Sequence, residues 1–290
     1  MSLIARRLGK SYRGQYPFRL ATTSFIVPDD YLPNVRQLAP LFDEVELLFF
    51  EAGPQGPDPR LIDALTRIGK ETGVGYNVHL PVDVPLCDPD PCRRRAAADR
   101  MARIIACCLG LAPSTLTLHL PYTPADRGLL ARRTWRRWVH ESLAQVRQGA
   151  DISGCRLSIE TLDYPMEWLA PTIEAFDLGV CLDMGHLALA GVDPSDAYQR
   201  WASRCPIIHL HAAMDDRDHL PLDGLKPAQA ATVMGLLSNF NGTLSLEVFS
   251  LEALARSLAW LEIHAEKLKT VARPHPIDFM KGGRDACSHP

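Results

Sequence analysis

The stretch "VCLDMGHLALAG", Val180 to Gly191, sets an aspartate and a histidine three residues apart directly after an apolar run. Asp183 and His186 have two readings there: a capping residue beside an ordinary polar turn residue, or two ligands of a metal ion. The rest of the chain decides between them. A histidine or carboxylate closes six successive apolar runs: His79, His119, Glu160, Asp183 with His186, His209 with His211, and Glu247. With 34 Asp+Glu and 10 His in 290 residues, such groups fill roughly 15% of positions, so six in a row is about a one-in-a-thousand coincidence even with two positions allowed per run. Imidazole nitrogen and carboxylate oxygen suit Zn²⁺ first, then Mn²⁺ or Fe²⁺, and the absence of thiolates at these positions argues against a structural zinc.

Such ligands need a scaffold that brings six separated runs to one place. Short β-rich runs at 19–27, 45–50, 76–80, 115–120, 156–162, 179–184, 207–212 and 243–249 alternate with segments of helical period at 33–42, 59–73, 92–110, 128–149, 166–176, 194–203, 227–239 and 251–271. Eight strands each followed by a helix predict an α/β fold, a single-domain (β/α)8 TIM barrel whose active groups gather at the carboxyl ends of the strands. A doubly wound open sheet is the alternative, weakened because no glycine-rich dinucleotide fingerprint follows the first strand. The barrel is expected over 19–271, with an N-terminal extension at 1–18 and a C-terminal tail at 272–290, both packing over the barrel or fraying.

Composition narrows the function classes. Hydrophobic residues make up 47% and charged residues 22%, an ordinary globular balance. A net charge of -3 advertises no nucleic-acid partner. No apolar run reaches the length of a membrane span, and the opening "MSLIARRLGKSYRG" carries no apolar segment with a cleavage site, so a cytoplasmic location is expected. The eight cysteines then read as reduced thiols, and "CDPDPC" matches no strong metal template.

The ordered runs "YNVHLP", "LTLHLP", "LSIETL", "CLDMGH", "HLHAA" and "LSLEVF" resemble the xylose isomerase-like TIM barrel superfamily of sugar isomerases, epimerases and apurinic-site endonucleases. The resemblance implies one ion held by Glu160, Asp183, His211 and Glu247, and, on the endonuclease pattern, a second held by His79 and His119 with Glu160 bridging. His209 is read as structural or as a support to the ligands. His186 resembles a ligand of a third ion, completed in the endonucleases by an Asp-Arg-His triplet. Here the loop reads "HAAMDDRDHLPLDG", which puts Arg217 two residues before His219 and leaves Asp216 or Asp218 to complete the site. Two ions are therefore expected and three are the upper limit. Glu51 and Arg217 are the candidate substrate-binding residues.

Two further imidazoles have little use in a one-metal isomerase, which favours a phosphodiesterase with Glu160 as bridge, Glu247 as ligand and a metal-activated water as nucleophile. Proline-rich rim segments such as "SFIVPDDYLP", "EAGPQGPDPR" and "LPVDVPLCDPDP" suggest a stiff mouth for a bulky small molecule rather than nucleic acid. "TTSFIVPDDYLPNVRQLAP" with "VELLFFE" is also similar to cobamide-remodelling phosphodiesterases, which implies the nucleotide-loop phosphodiester of a B12-type cofactor as substrate. A sugar isomerase or epimerase is the alternative, an apurinic-site endonuclease a less favoured one, and a non-enzymatic binding module the third class.

Overall fold

Parallel strands cannot be joined by tight turns, so each needs a crossover segment, and this chain supplies one after every barrel strand. The computed structural model describes residues 2–49, 56–152, 157–215 and 217–268. In chain order the elements are α1 (Leu3–Leu8), β1 (Arg19–Thr23), α2 (Tyr31–Leu38), β2 (Glu44–Leu48), α3 (Pro59–Thr72), β3 (Gly75–His79), α4 (Pro91–Leu109) and β4 (Leu116–Leu118). They continue with α5 (Leu129–Gly149), β5 (Leu157–Glu160), α6 (Ala170–Phe176), β6 (Gly179–Asp183), α7 (Met184–Leu189), α8 (Pro194–Trp201) and β7 (Ile207–Leu210). The last are β8 (Ala212–Met214), β9 (Arg217–Leu220), α9 (Pro227–Leu237), β10 (Thr243–Leu246) and α10 (Leu251–His264). Strands β1 to β7 and β10 pair in parallel and close into a barrel in the order β1-β10-β7-β6-β5-β4-β3-β2. The fold is a single-domain TIM barrel.

Local chemistry explains where the helices begin. Asp58, Asp90 and Asp193 each accept a backbone N–H two residues ahead and are each followed by proline at the first helical position. Two of the proline-rich segments expected at the rim thus end as starts of α3 and α4. Helix α5 buries Trp135, Val139, Leu143 and Val146 on one stripe, and the indole N–H of Trp135 donates to the Pro121 carbonyl at 3.0 Å. The N-terminal segment packs rather than frays: Ile4, Tyr12, Tyr16 and Phe18 are buried, and α1 lies against α2 and α10.

Three differences from the sequence expectation bear on the mouth of the barrel. Strands β1 and β10 stop at Thr23 and Leu246, short of the apolar runs, because Phe25, Ile26, Val27 and Phe249 leave the sheet to line a cavity at the mouth. A short helix, α7, begins directly after Asp183. An antiparallel hairpin, β8 with β9, stands where a loop was expected. Glu51, Asp216 and the tail 272–290 lie outside the described residues. No helix among the described residues is long and apolar enough to cross a membrane.

Candidate metal centre

The barrel interior is polar in layers. Lowest is Glu44 on β2, paired with Arg19 at 2.6 Å and accepting hydrogen bonds from Asn77, Ser114 and Thr243. Two residues on, and so on the same side of the strand, Glu46 is completely buried beside His209, with Nε2 of the ring 2.8 Å from Oε1 of the carboxylate. Above these lies the cluster at the mouth.

Glu160, the last residue of β5, is its centre. Its Oε2 lies 3.1 Å from Nε2 of both His79 and His119 and 3.5 Å from Nδ1 of His209. Its Oε1 lies 3.2 Å from Nδ1 of His186. Glu247, one residue past β10, approaches His209 Nδ1 at 3.1 Å. Asp183 is shared in a different way: Oδ1 caps α7 by accepting the His186 amide hydrogen at 2.6 Å, while Oδ2 faces His211 Nε2 at 3.1 Å. The capping half of the opening alternative is thus present, and the second oxygen of Asp183 faces the imidazole cluster.

The structure places His209 with Glu160 and Glu247, while His211, the expected ligand, faces Asp183. Ligand atoms of Glu160, Asp183, His209 and Glu247 lie within 4.8 Å of one another, as do those of His79, His119 and Glu160. Register is the reason: β6 and β7 pair Asp183 with His209, so the shear of the barrel sets that histidine at the level of the carboxylates. His211 sits beyond the end of β7, and both its nitrogens are engaged. Nδ1 accepts the His219 amide hydrogen at 2.9 Å, which leaves Nε2 to donate to Asp183. Gly185 makes room for this ring, since a Cβ there would stand 2.0 Å from His211 Cε1.

A third group joins His186, His211 and His219. His219, held at φ 51° in the hairpin, approaches Asp218 at 3.8 Å, and Asp218 lies 4.0 Å from His186 Nε2. Asp218 is the described member of the aspartate pair expected to complete that group, although Glu160 and Asp183 lie closer to it, at 3.2 Å from His186 and 3.1 Å from His211. Arg217 is exposed on β9 and is not among the residues that line the mouth cavity.

Electrostatics and hydrogen-bond accounting both fit a cation here. Glu160 is completely buried; burial alone would raise its pKa, but the surrounding imidazoles hold it well below the usual carboxylate range. Burial would lower the pKa of His79, yet Glu160, Glu247 and Glu46 raise it to about 9, and His186 is raised to about 10 by Glu160 and Asp183 against the same penalty. His119 Nε2, His209 Nδ1 and Glu247 Oε2 are buried without a hydrogen bond of acceptable geometry despite their close approaches. Buried polar atoms are rarely left so, and convergent nitrogen and oxygen lone pairs are what a divalent ion satisfies. The donor set therefore fits a metal.

Above the cluster opens a cavity of about 830 Å³. Its floor is His79, His119, Glu160, His186, His219 and Glu247, and its walls are apolar apart from Ser250: Leu3, Phe25, Ile26, Val27, Pro28, Val82, Phe249 and Leu251. No lysine or arginine lines it among the described residues. Sequence reasoning passed over Glu46 and Gly185. The available signals were a carboxylate in the middle of the apolar run "VELLFF" and a glycine between two functional residues in "DMGH".

A family profile described as "Xylose isomerase-like TIM barrel" matches residues 35–264. No curated protein matches the chain in sequence. Among solved structures, a D-tagatose 3-epimerase-like protein superposes with TM-score 0.72 at 17% identity, over 87% of this chain and 98% of its own. Endonuclease IV from Thermus thermophilus gives TM-score 0.66 at 17% identity, over 84% and 99%. The IolI protein, described with a binding zinc atom, gives 0.67 at 12% identity, over 88% and 100%. At these identities the likeness is one of fold.

Proposed function

The chain belongs to the xylose isomerase-like TIM barrel family, and we propose that within it this protein is a metal-dependent phosphodiesterase acting on a bulky small molecule. The observation that carries the reading is the pair His79 and His119, both 3.1 Å from one oxygen of Glu160. Four ligands already suffice for one ion. Two more imidazoles on the same carboxylate would make a second site, with Glu160 shared between the two ligand groups. Glu160, Asp183, His209 and Glu247 would hold one ion and His79, His119 and Glu160 the other, with zinc the first candidate and manganese or iron next. The group of His186 and His219 with Asp218 is a candidate third site, which His211 borders.

Such ions, when bound, polarise a phosphoryl group, activate water and stabilise the leaving oxygen. The chain's own contribution is positional. Glu160 sets the spacing between the two ligand groups, Glu247 completes one of them, and the apolar walls exclude bulk water from the floor. Hydrolysis forms a bond from the water oxygen to phosphorus as one ester P–O bond breaks, and the water's proton goes to the departing oxygen.

The cavity supports a small-molecule diester over a nucleic acid, whose phosphates would call for a basic lining. The nucleotide-loop phosphodiester of a cobamide, consistent with the N-terminal resemblance, is the proposed substrate, in a cytoplasmic setting. A sugar isomerase or epimerase is the second reading, favoured by the presence of two carboxylates, Glu160 and Glu247, at one ion site. The apolar walls speak against it, because sugar hydroxyls need polar partners. The deciding experiment is metal analysis of protein purified without chelator, with assays on a cobamide and on a generic aryl phosphodiester, for wild type and His79→Ala. Two or more ions in wild type, one fewer in the variant, and collapse of hydrolysis are expected. One ion in wild type, no diester cleavage and interconversion of a ketose would establish the isomerase instead.

A further inference from the structure

We infer that Glu46 is a positioning residue that selects which nitrogen of His209 faces the metal centre; the inference rests on the metal reading above. His209 is completely buried and its two ring nitrogens have different neighbours. Nδ1 lies within 3.1 Å of Glu247, 3.5 Å of Glu160 and 3.9 Å of Asp183. Nε2 lies 2.8 Å from Glu46 on the far side of the ring. The two atoms are buried and have no other hydrogen-bond partner among the described residues, although their 2.8 Å approach falls short of an aligned hydrogen bond.

Glu46 has no other assignment in the fold. Glu44, one layer below, has Arg19 and three hydrogen-bond donors, which accounts for its burial structurally. The hydrogen bond to Glu46 comes from Ser245, and the one described basic side chain within ion-pair distance is the imidazole of His209. A buried carboxylate is costly unless it is paired, and an imidazole whose outer N–H meets a carboxylate is fixed in tautomer and orientation as a ligand. With the proton on Nε2, the Nδ1 lone pair is left for the ion. Residues on three strands, β2, β7 and β10, thereby place one nitrogen.

The test compares Glu46→Gln and Glu46→Ala with Glu44→Gln, a variant of equal burial outside the contact. Zinc affinity is read by competition with a chromophoric chelator, and folding by circular dichroism. Gln keeps an oxygen acceptor in nearly the same volume, so Glu46→Gln is expected to fold and to bind zinc more weakly than wild type, but more tightly than Glu46→Ala. The Ala variant is expected to lose roughly 10–100-fold in affinity. Glu44→Gln should lower stability at unchanged affinity. In zinc-loaded wild type, the imidazole ¹⁵N resonances of His209 should report metal on Nδ1 and hydrogen on Nε2. Metal on Nε2, wild-type affinity in both Glu46 variants, or an equal loss in Glu44→Gln would overturn the inference. A wild type that binds no zinc would instead remove the metal reading on which it rests.

Discussion

At the scale of single residues, the arrangement turns on carboxylates that serve two partners at once. Glu160 Oε2 meets His79 and His119 while Oε1 meets His186, so replacing one oxygen by NH₂ turns an acceptor into a donor facing an imidazole. Glu160→Gln preserves volume, and its loss of metal affinity should exceed the roughly 10–100-fold seen for an outer partner. Turnover should fall in step, as measured by metal content and diester hydrolysis on one preparation. Wild-type activity with full metal in that variant would take Glu160 out of the site. Asp183 divides its work similarly, capping α7 with one oxygen and taking the His211 hydrogen with the other. His211 is thereby the imidazole that faces Asp183.

At the scale of elements, the strand-to-helix corner at Asp183–His186 sets how closely α7 approaches β7 and His211 just beyond it. Gly185 is the point of contact, and a Cβ there would meet Cε1, Nδ1 and Nε2 of His211 at 2.0, 2.4 and 2.7 Å. Alanine is otherwise the better helix former, by up to about 1 kcal/mol. Steric overlap with a buried ring costs about 1–3 kcal/mol or more, so the clash wins. Gly185→Ala should destabilise by about 2 kcal/mol net and weaken metal binding, read by denaturant titration and chelator competition. Gly235 on α9 is the matched control, with nothing within 4 Å of its would-be Cβ. Gly235→Ala should stabilise by about 0.4–1 kcal/mol. If the two substitutions gave the same sign, the close approach of α7 to β7 would not be what the glycine serves.

At the scale of the whole molecule, the centre ties together β3, β5, β6, β7 and the segments after β4 and β10, so its charge state is coupled to folding. His79 and His186 have pKa values raised to about 9 and about 10, above the roughly 6.5 of an unfolded chain. Groups raised on folding contribute stability that is fully present below the unfolded value and is lost as pH rises through the folded value. A bound cation prefers neutral imidazoles and reverses that dependence. With chelator present, the thermal midpoint should therefore fall as pH rises from about 6.5 towards 9–10. With zinc bound it should fall less, so the gap between the two melting curves widens across that window. A gap independent of pH would show that metal and protons do not compete for these rings.

The sequence by itself determined the barrel and most of its mouth. Alternating β-rich and helical runs carry the period of each element, and Asp-Pro pairs at 58–59, 90–91 and 193–194 mark helix starts through purely local hydrogen bonds. The same runs showed His79, His119, Glu160, Asp183 and Glu247 at strand ends, because side-chain alternation and strand termination are local properties. What lay beyond it was the level at which each group sits. His209 and His211 share a face of one segment, and only the pairing of β7 with β6 separates the one beside Glu160 and Glu247 from the one that faces Asp183. Glu46 and Gly185 escaped for the same reason: their meaning depends on His209 and His211, residues distant in the chain. Periodicity is encoded within a strand, whereas register between strands is fixed by barrel closure, and that is a property of all eight together.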